Sequence, residues 1–407
     1  MTSAHQPLPS SGSGGAGKAS RGRRRTIPLG VLALAFLLAV LVVVAVAAVG
    51  CGSSAATAGT QATAGSATPT AGAAQSKVTI TDQAGRKVTI PESIRTVYCT
   101  SPMGTNLVYT LAPDMLVGWN ISPTPLEKEY IPAKYRNVVG LGGWFGKNTT
   151  GNVEEIIKRS PDVVLSIGGI DSSSISEADR IQGLLNIPVI VVDGSLAKTA
   201  EAYRYLGKLL GAEARGEELA KYADKILQEA AVNKAKIPDS QRVSVYYAEG
   251  AKGLNTDPEG SDHTEVLSLI GAKNIAQVPV DQSGYGMSPV SLEQVLAWNP
   301  AMILVASDPD NESQAYDLIT KGSDWANITA VKTKQVYEIP HGPFDWFDRP
   351  PCVGRLLGME WLGNLLYPDV YKMDIKAEVK NFYKVFYHYD LTDEQLSTLM
   401  ARALRTQ

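Results

Sequence analysis

The stretch 152–166 reads NVEEIIKRSPDVVLS, and the stretch 291–305, 139 positions later, reads SLEQVLAWNPAMILV. Each copy begins with a residue that caps helices, asparagine or serine, and places a glutamate two residues on (Glu154 and Glu293). A carboxylate there favours the positive end of the helix dipole. A proline then ends each helix, and the short apolar run after it is typical of a strand buried on both faces. The repeated helix–turn–strand unit therefore predicts two similar α/β lobes with a cleft between them.

Other short apolar runs, separated by helical stretches, continue this α/β pattern and set the predicted boundaries. The first lobe, 78–195, takes a hairpin over 78–90 and strands at 97–100, 116–118, 163–165 and 189–192. The second, 238–407, takes strands at 243–248, 302–305 and 336–339 and ends in a helical tail. Between them, 196–237 contains no proline and predicts two amphipathic helices, the second of about 24 residues and roughly 36 Å. A single long helix between two lobes permits only limited hinge motion.

The N-terminal segment 1–51 predicts export and membrane attachment. Four arginines from Arg21 to Arg25 precede an uncharged apolar run, 27–49, and a bilayer needs about 20 such residues of helix. The run ends in Ala-Val-Gly-Cys at Cys51, which is typical of a lipoprotein processing site, with an uncleaved transmembrane anchor as the alternative. Both interpretations place the rest of the chain on the extracytoplasmic face of a prokaryotic membrane. Residues 52–76 contain only Gly, Ala, Ser, Thr, Gln and Pro and predict a flexible tether.

Composition and spacing exclude several classes of function. A formal net charge of −3 gives no field that favours nucleic acid as a partner. No nucleophile elbow, phosphate-binding loop or paired-acid site stands in a supporting context, so no enzyme is predicted. The four histidines are widely spaced and His5 precedes the apolar run, so no site for a bare metal ion is predicted. For Cys99 and Cys352, buried free thiols and a disulfide both stay open.

Several stretches together carry a resemblance through their order and spacing. They are the two repeats, DQAGRKVTIPESIRTVYCTSP (82–102), LVGW (116–119), EVLSLIGAKNIA (265–276), AVKTKQVYEIP (330–340) and DWFDRPP (345–351). With them the chain resembles the substrate-binding lipoproteins of ABC importers for iron siderophores, haem and vitamin B12. The resemblance implies two Rossmann-like lobes joined by one long rigid α-helix, a ligand cleft between them, no intrinsic cofactor, and a monomer that works with ABC permease and ATPase subunits. Its docking acids correspond to Glu154 and Glu293.

The ligand site is predicted where the strands of both lobes end. The candidates are Met103, Trp119 and Trp144 from the first lobe and Tyr247, Tyr285, Met287, His341, Trp346 and Arg349 from the second, with Ser101, Pro102 and Glu249 beside them. Rigid loop aromatics suit a large, partly apolar ligand, although core packing is the alternative for any one of them. Arg349 suits a carboxylate or a siderophore oxygen.

These residues predict a protein that captures a ferric siderophore or another iron chelate and delivers it to a permease. Haem and cobalamin or another corrinoid are the alternative ligands of the same class, because cleft chemistry diverges widely within one fold. A ligand-sensing surface lipoprotein that is not coupled to import is the alternative role.

Overall fold

The computed structural model describes residues 76–146, 149–281, 286–307 and 314–405. Cys51, the apolar run before it and all but the last residue of the tether lie outside these ranges. The described residues belong to one compact unit, Thr70–Gln407. Within them, every helix is too short or too polar to cross a bilayer.

The first lobe is built on a parallel sheet in the order β3-β4-β5. Its elements are β1 (Lys77–Thr81), β2 (Lys87–Pro91), β3 (Val97–Cys99), α1 (Pro102–Leu111), α2 (Pro125–Lys128), α3 (Val153–Arg159), β4 (Val163–Gly168), α4 (Ser172–Leu185) and β5 (Val189–Asp193). β1 and β2 form the predicted antiparallel hairpin, with Val78 opposite Ile90. The predicted strand 116–118 is wrong: a 3-10 turn over Pro113–Met115 precedes it, and only Leu116 bridges to Val97.

The second lobe is built on a parallel sheet in the order β11-β10-β6-β8, beside a small antiparallel ribbon of β7 and β9. Its strands are β6 (Ser244–Ala248), β7 (Asn255–Thr256), β8 (Lys273–Asn274), β9 (Ser288–Pro289), β10 (Met302–Val305) and β11 (Val336–Glu338). Its helices are α7 (Glu265–Ile270), α8 (Leu292–Trp298), α9 (Gln314–Lys321), α10 (Thr329–Lys332), α11 (Gly354–Leu366), α12 (Ile375–Tyr387) and α13 (Asp393–Leu399). Between the lobes lie α5 (Thr199–Leu209) and α6 (Glu213–Lys234).

The two sequence repeats fold as predicted. The side chain of Asn152 accepts a hydrogen bond from the N–H of Glu155 and so caps α3, and Ser291 caps α8 by accepting from the N–H of Gln294. Both helices end at a left-handed residue directly before the proline, and the strands that follow, β4 and β10, are almost completely buried. The helix–turn–strand interpretation is confirmed in both copies.

One buried apolar cluster contains residues of both sheets and of helix α6. In β4, Val163 and Leu165 belong to the same buried cluster as Leu219 of α6, whereas Val164 points to the opposite face and packs with Ile181 of α4. β10 alternates in the same way between the α6 cluster and the cluster that includes α9. Each sheet is thus covered on both faces, as parallel sheets require. The long connecting helix is confirmed at 22 residues, or about 33 Å.

We expect Gly358→Ala in α11 to lower the free energy of unfolding. An added Cβ would lie 1.7 Å from the carbonyl oxygen of Trp346, and such overpacking costs about 1–3 kcal/mol. The matched control is Gly183→Ala in α4, where a Cβ meets nothing within 4 Å, so helix propensity alone raises stability by about 0.5–1 kcal/mol. Urea unfolding followed by tryptophan fluorescence measures both. Effects of the same sign in the two variants would contradict the close packing of α11 on Trp346.

Candidate functional site

The segment 341–353, which follows β11, contacts both lobes and is called the bridging segment below. At its beginning, His341 Nε2 lies 2.8 Å from Glu127 Oε1 of the first lobe, and the ring of Phe344 stacks on Trp119 with ring centres 5.7 Å apart. Near its end, Arg349 Nε lies 2.7 Å from Glu249 Oε1 of the second lobe. Residues that belong to different lobes therefore meet along this one stretch of chain.

His341 is held by two carboxylates. The Glu127 carboxylate accepts a hydrogen bond from Nε2 of the His341 ring, and Asp345 Oδ2 lies 3.6 Å from Nδ1 of the same ring. Burial alone would lower the pKa of His341, but the two carboxylates outweigh it and raise the pKa to about 9. Although burial opposes it, the His341 contact also lowers the pKa of Glu127. The pair is therefore ionised at neutral pH and links the lobes electrostatically.

Arg349 stands at the centre of a second group of charges. Its guanidinium contacts Glu249, Asp257 at 3.0 Å and Asp348 at 3.2 Å. The three carboxylate side chains are at most 1% exposed, whereas the Arg349 side chain keeps 26% of its surface exposed. Burial raises the pKa of Glu249 to about 8, with Arg349 opposing that effect. Arg349 is thus the member of this group that faces solvent.

The first lobe contributes an edge of small residues where its strands end. Gly168, at the end of β4, and Gly169 both face open space, and Gly194, after β5, lies directly under the Met103 side chain. These three residues are called the glycine edge. Helix α1 begins beside it, because the Ser101 hydroxyl donates to the carbonyl of Ile167 at 3.2 Å.

The beginning of α1 is suited to a negatively charged group. It has neither a side-chain cap nor an acidic residue in its first turn, so its N–H groups and dipole are not compensated locally. Helix N-termini of this kind attract anions. The glycine edge therefore combines open space with the positive end of the α1 helix dipole.

Several predicted ligand residues lie in the core. Trp346 has no exposed surface, Tyr247 has 1% and Trp119 has 5%. Trp346 packs edge-to-face on Trp361 and Tyr383, with ring centres 6.1 and 6.4 Å away. The structure thus places these three aromatic residues in the core, which was the alternative interpretation for each of them.

The other predicted residues keep some exposed surface. Met103, Trp144, Met287 and Arg349 are half-buried, and Trp144 leans edge-on towards Tyr98. His341 is buried between its two carboxylates. Tyr285 lies outside the described residues.

Four residues of these charged groups were not predicted from the sequence: Glu127, Asp257, Asp348 and His263, which pairs with Asp348. Glu127 had a local signal, because Thr124 and Glu127 make a capping box at the start of α2. Asp348 stands next to Arg349 in DWFDRPP. Asp257 had no signal of that kind, since its partners are remote along the chain.

The two predicted docking acids are exposed in the first turns of α3 and α8. Neither takes part in an ion pair among the described residues. In α3, Lys158 and Arg159 pair with Glu155 instead. Their carboxylates are therefore accessible to another molecule. Cys99 and Cys352 are both buried and free.

Comparison with known proteins gives consistent matches. The sequence model of the family described as "Periplasmic binding protein" matches residues 103–342. The molybdate-binding protein MolA of Haemophilus influenzae is 28% identical over 338 residues, which are 76% of this chain and 90% of MolA.

Two solved structures agree over most of the chain. An ABC transporter solute binding protein from Sulfurospirillum deleyianum is 31% identical, with a TM-score of 0.73 over 79% of this chain and 99% of that one. MolA bound to molybdate has a TM-score of 0.59 at 25% identity, over 77% of this chain and 99% of that one.

We expect the free energy of unfolding to fall between pH 6.5 and 9. The pKa of His341 is raised from 6.5 to about 9, so its contribution is complete below 6.5 and is lost as the pH rises through 9. A tenfold change in proton affinity corresponds to about 1.4 kcal/mol, which sets an upper limit of about 3 kcal/mol. His341→Gln should make this slope shallower in urea unfolding; Glu249, whose raised pKa of about 8 gives a slope of the same sign, keeps its own share.

His388→Gln is the matched control for this experiment. Burial lowers the pKa of His388, so its effect on stability belongs to the acid side and leaves the alkaline slope in place. An alkaline slope as steep in His341→Gln as in the wild type would contradict the assignment.

Proposed function

The chain belongs to the periplasmic binding protein family, and from that premise we propose that its solute is a small oxyanion of the molybdate class. Proteins of this family are solute-binding components of ABC transporters and not enzymes. They act outside the cytoplasm and work with permease and ATPase subunits.

The beginning of α1 carries the proposal. Its N–H groups are uncapped and lie beside the open space at Gly168 and Gly169, and such a place suits a compact anion without requiring an opposite charge from a side chain. A relative that matches over 90% of its own length is named for binding molybdate. The geometry and the relationship therefore favour the same chemical class.

An iron chelate is the second candidate. The side chain of Arg349 is 26% exposed, and a guanidinium suits the anionic oxygens of a chelate. The burial of Trp119, Tyr247 and Trp346 removes much of the aromatic surface on which the expectation of a large, partly apolar ligand rested. Haem and corrinoids therefore have less support than a compact ligand.

For the partner, we propose that Glu154 and Glu293 dock on the permease. Both are exposed, lie at the same place in the two repeats and are fixed by capped helices. Paired acids on rigid elements set orientation by charge complementarity. The lipid anchor at Cys51 and the tether 52–76, both predicted from the sequence, would hold the body close to the membrane.

We expect the purified full chain in detergent to bind molybdate and tungstate in calorimetric titrations, and Gly168→Leu to weaken that binding at least tenfold, or about 1.4 kcal/mol. The leucine would fill the open space at the glycine edge. Gly183→Leu, which also projects into open space but on α4, should leave affinity unchanged. Ferric siderophores, haemin and cobalamin complete the panel. Binding of a ferric siderophore without molybdate would replace the oxyanion by the second candidate.

We expect the double variant Glu154→Lys/Glu293→Lys to lose uptake of labelled molybdate in cells while the purified protein keeps its affinity. Reversed charges repel the complementary surface and leave the strand ends untouched. The matched control is Glu129→Lys/Glu259→Lys, which reverses one exposed acid on each lobe and should transport normally. Normal uptake by the first double variant would refute the docking proposal and leave a sensor role open.

A further inference from the structure

Three ligand-type side chains meet in the second lobe. Asp257, His263 and Asp348 each place one donor atom within 4.8 Å of the other two, and all three residues are buried. His263 Nδ1 lies 2.5 Å from Asp348 Oδ1. They come from three places: the loop after β7, the 3-10 turn Asp262–Thr264 and the bridging segment. We infer that these residues form a binding site for a divalent transition-metal cation.

The donor groups are oriented by their neighbours, as first ligands of metal sites usually are. Asp257 Oδ1 accepts from the Ser261 hydroxyl at 3.1 Å, and Oδ2 accepts from the N–H of Met287 at 3.1 Å. The Tyr247 hydroxyl lies 3.4 Å from Asp348 Oδ2. Both carboxylates are therefore held in place before any cation arrives.

The cluster also offers negative charge to a cation. Glu249, Asp257 and Asp348 surround a single guanidinium, that of Arg349. Buried carboxylates are stabilised by a positive charge nearby. A divalent cation between Asp257 and Asp348 would supply such a charge.

Glu249 gives an independent indication of a missing partner. The residue is 1% exposed, and its Oε2 is buried without a hydrogen-bond partner among the described residues. Its other oxygen is tied to Arg349, which also contacts Asp257. Oε2 therefore belongs to the same cluster and could serve as a further ligand or accept from a metal-bound water.

The donor set selects the kind of cation. One imidazole nitrogen with two or three carboxylate oxygens suits Zn²⁺ or Mn²⁺, whereas Ca²⁺ and Mg²⁺ prefer oxygen ligands alone. A cavity of about 150 Å³ borders the same loop and is lined by Ser261 and Asn274, both of which bond Asp257. Since a water molecule takes about 30 Å³, this space holds several waters next to residues that orient Asp257.

The test uses the untagged full chain in detergent, stripped with EDTA and titrated with Zn²⁺, Mn²⁺, Mg²⁺ and Ca²⁺ in a calorimeter. We expect one equivalent of Zn²⁺ or Mn²⁺ and at least a hundredfold weaker binding of Mg²⁺ and Ca²⁺. His263→Ala and Asp348→Asn should each weaken Zn²⁺ binding at least tenfold. The matched control, Asp262→Asn, changes an exposed acid next to His263 and should bind as the wild type does.

The wild-type titration decides the outcome even where a variant fails to fold. Absence of stoichiometric binding, or equal affinity in His263→Ala, would overturn the inference and identify the cluster as a metal-free ion-pair network with an adventitious ion only. Co²⁺ in place of Zn²⁺ gives visible absorption bands that should disappear in His263→Ala. Molybdate titrations of the stripped protein examine the proposed solute separately, because the glycine edge shares no residue with the cation site.

Discussion

Both parallel sheets bury one face in the same apolar cluster, to which α6 also belongs, and the rest of the fold depends on that shared burial. The alternation of Val163, Val164 and Leu165 shows how it arises: Val163 and Leu165 lie in the shared cluster, and Val164 between them lies in a separate outer cluster. Buried apolar surface is worth about 25 cal/mol per Å². Separating the lobes would expose the core around α6, so the ends of the strands keep a nearly constant spacing.

The bridging segment adds polar contacts to this apolar constraint. Its first residue, His341, pairs with Glu127 of the first lobe, and Arg349 pairs with three carboxylates of the second. A wide groove of about 690 Å³ lies instead along α6, with Lys221, Lys225 and Tyr371 in its wall. None of its lining residues stands at the end of a strand, so the volume of that groove does not identify it as the ligand site. The position of charges and free backbone groups is the better guide.

Local sequence patterns were sufficient to predict the helices and strands, whereas the residues that meet at the candidate site are determined by tertiary contacts. The caps Asn152 and Ser291, the left-handed ends of α3 and α8 and the length of α6 all follow from short-range sequence rules. The burial of Trp346 depends on Trp361 and on Tyr383 of another helix, and the loop sequence around Trp346 gives no sign of that. The spacing of the histidines could not show that His263 contacts Asp348, because the two residues are 85 positions apart. The separation of two residues along the chain does not show whether their side chains are in contact.

The position of the docking acids follows from the way crossovers are built. A helix between two parallel strands runs antiparallel to them, so it begins at the edge where the strands end. In the first lobe, the N–H of Trp144 bonds the carbonyl of Thr100 after β3, and a Cβ on Gly151, just before α3, would touch the Trp144 ring. In the second lobe, β9 leads into α8 and pairs with β7, which bridges to Glu249 after β6. The acids that begin α3 and α8 therefore stand at the same edge as the glycine edge and Arg349. A partner that bound both acids would face the proposed solute site, so docking and release would need no transfer across the protein.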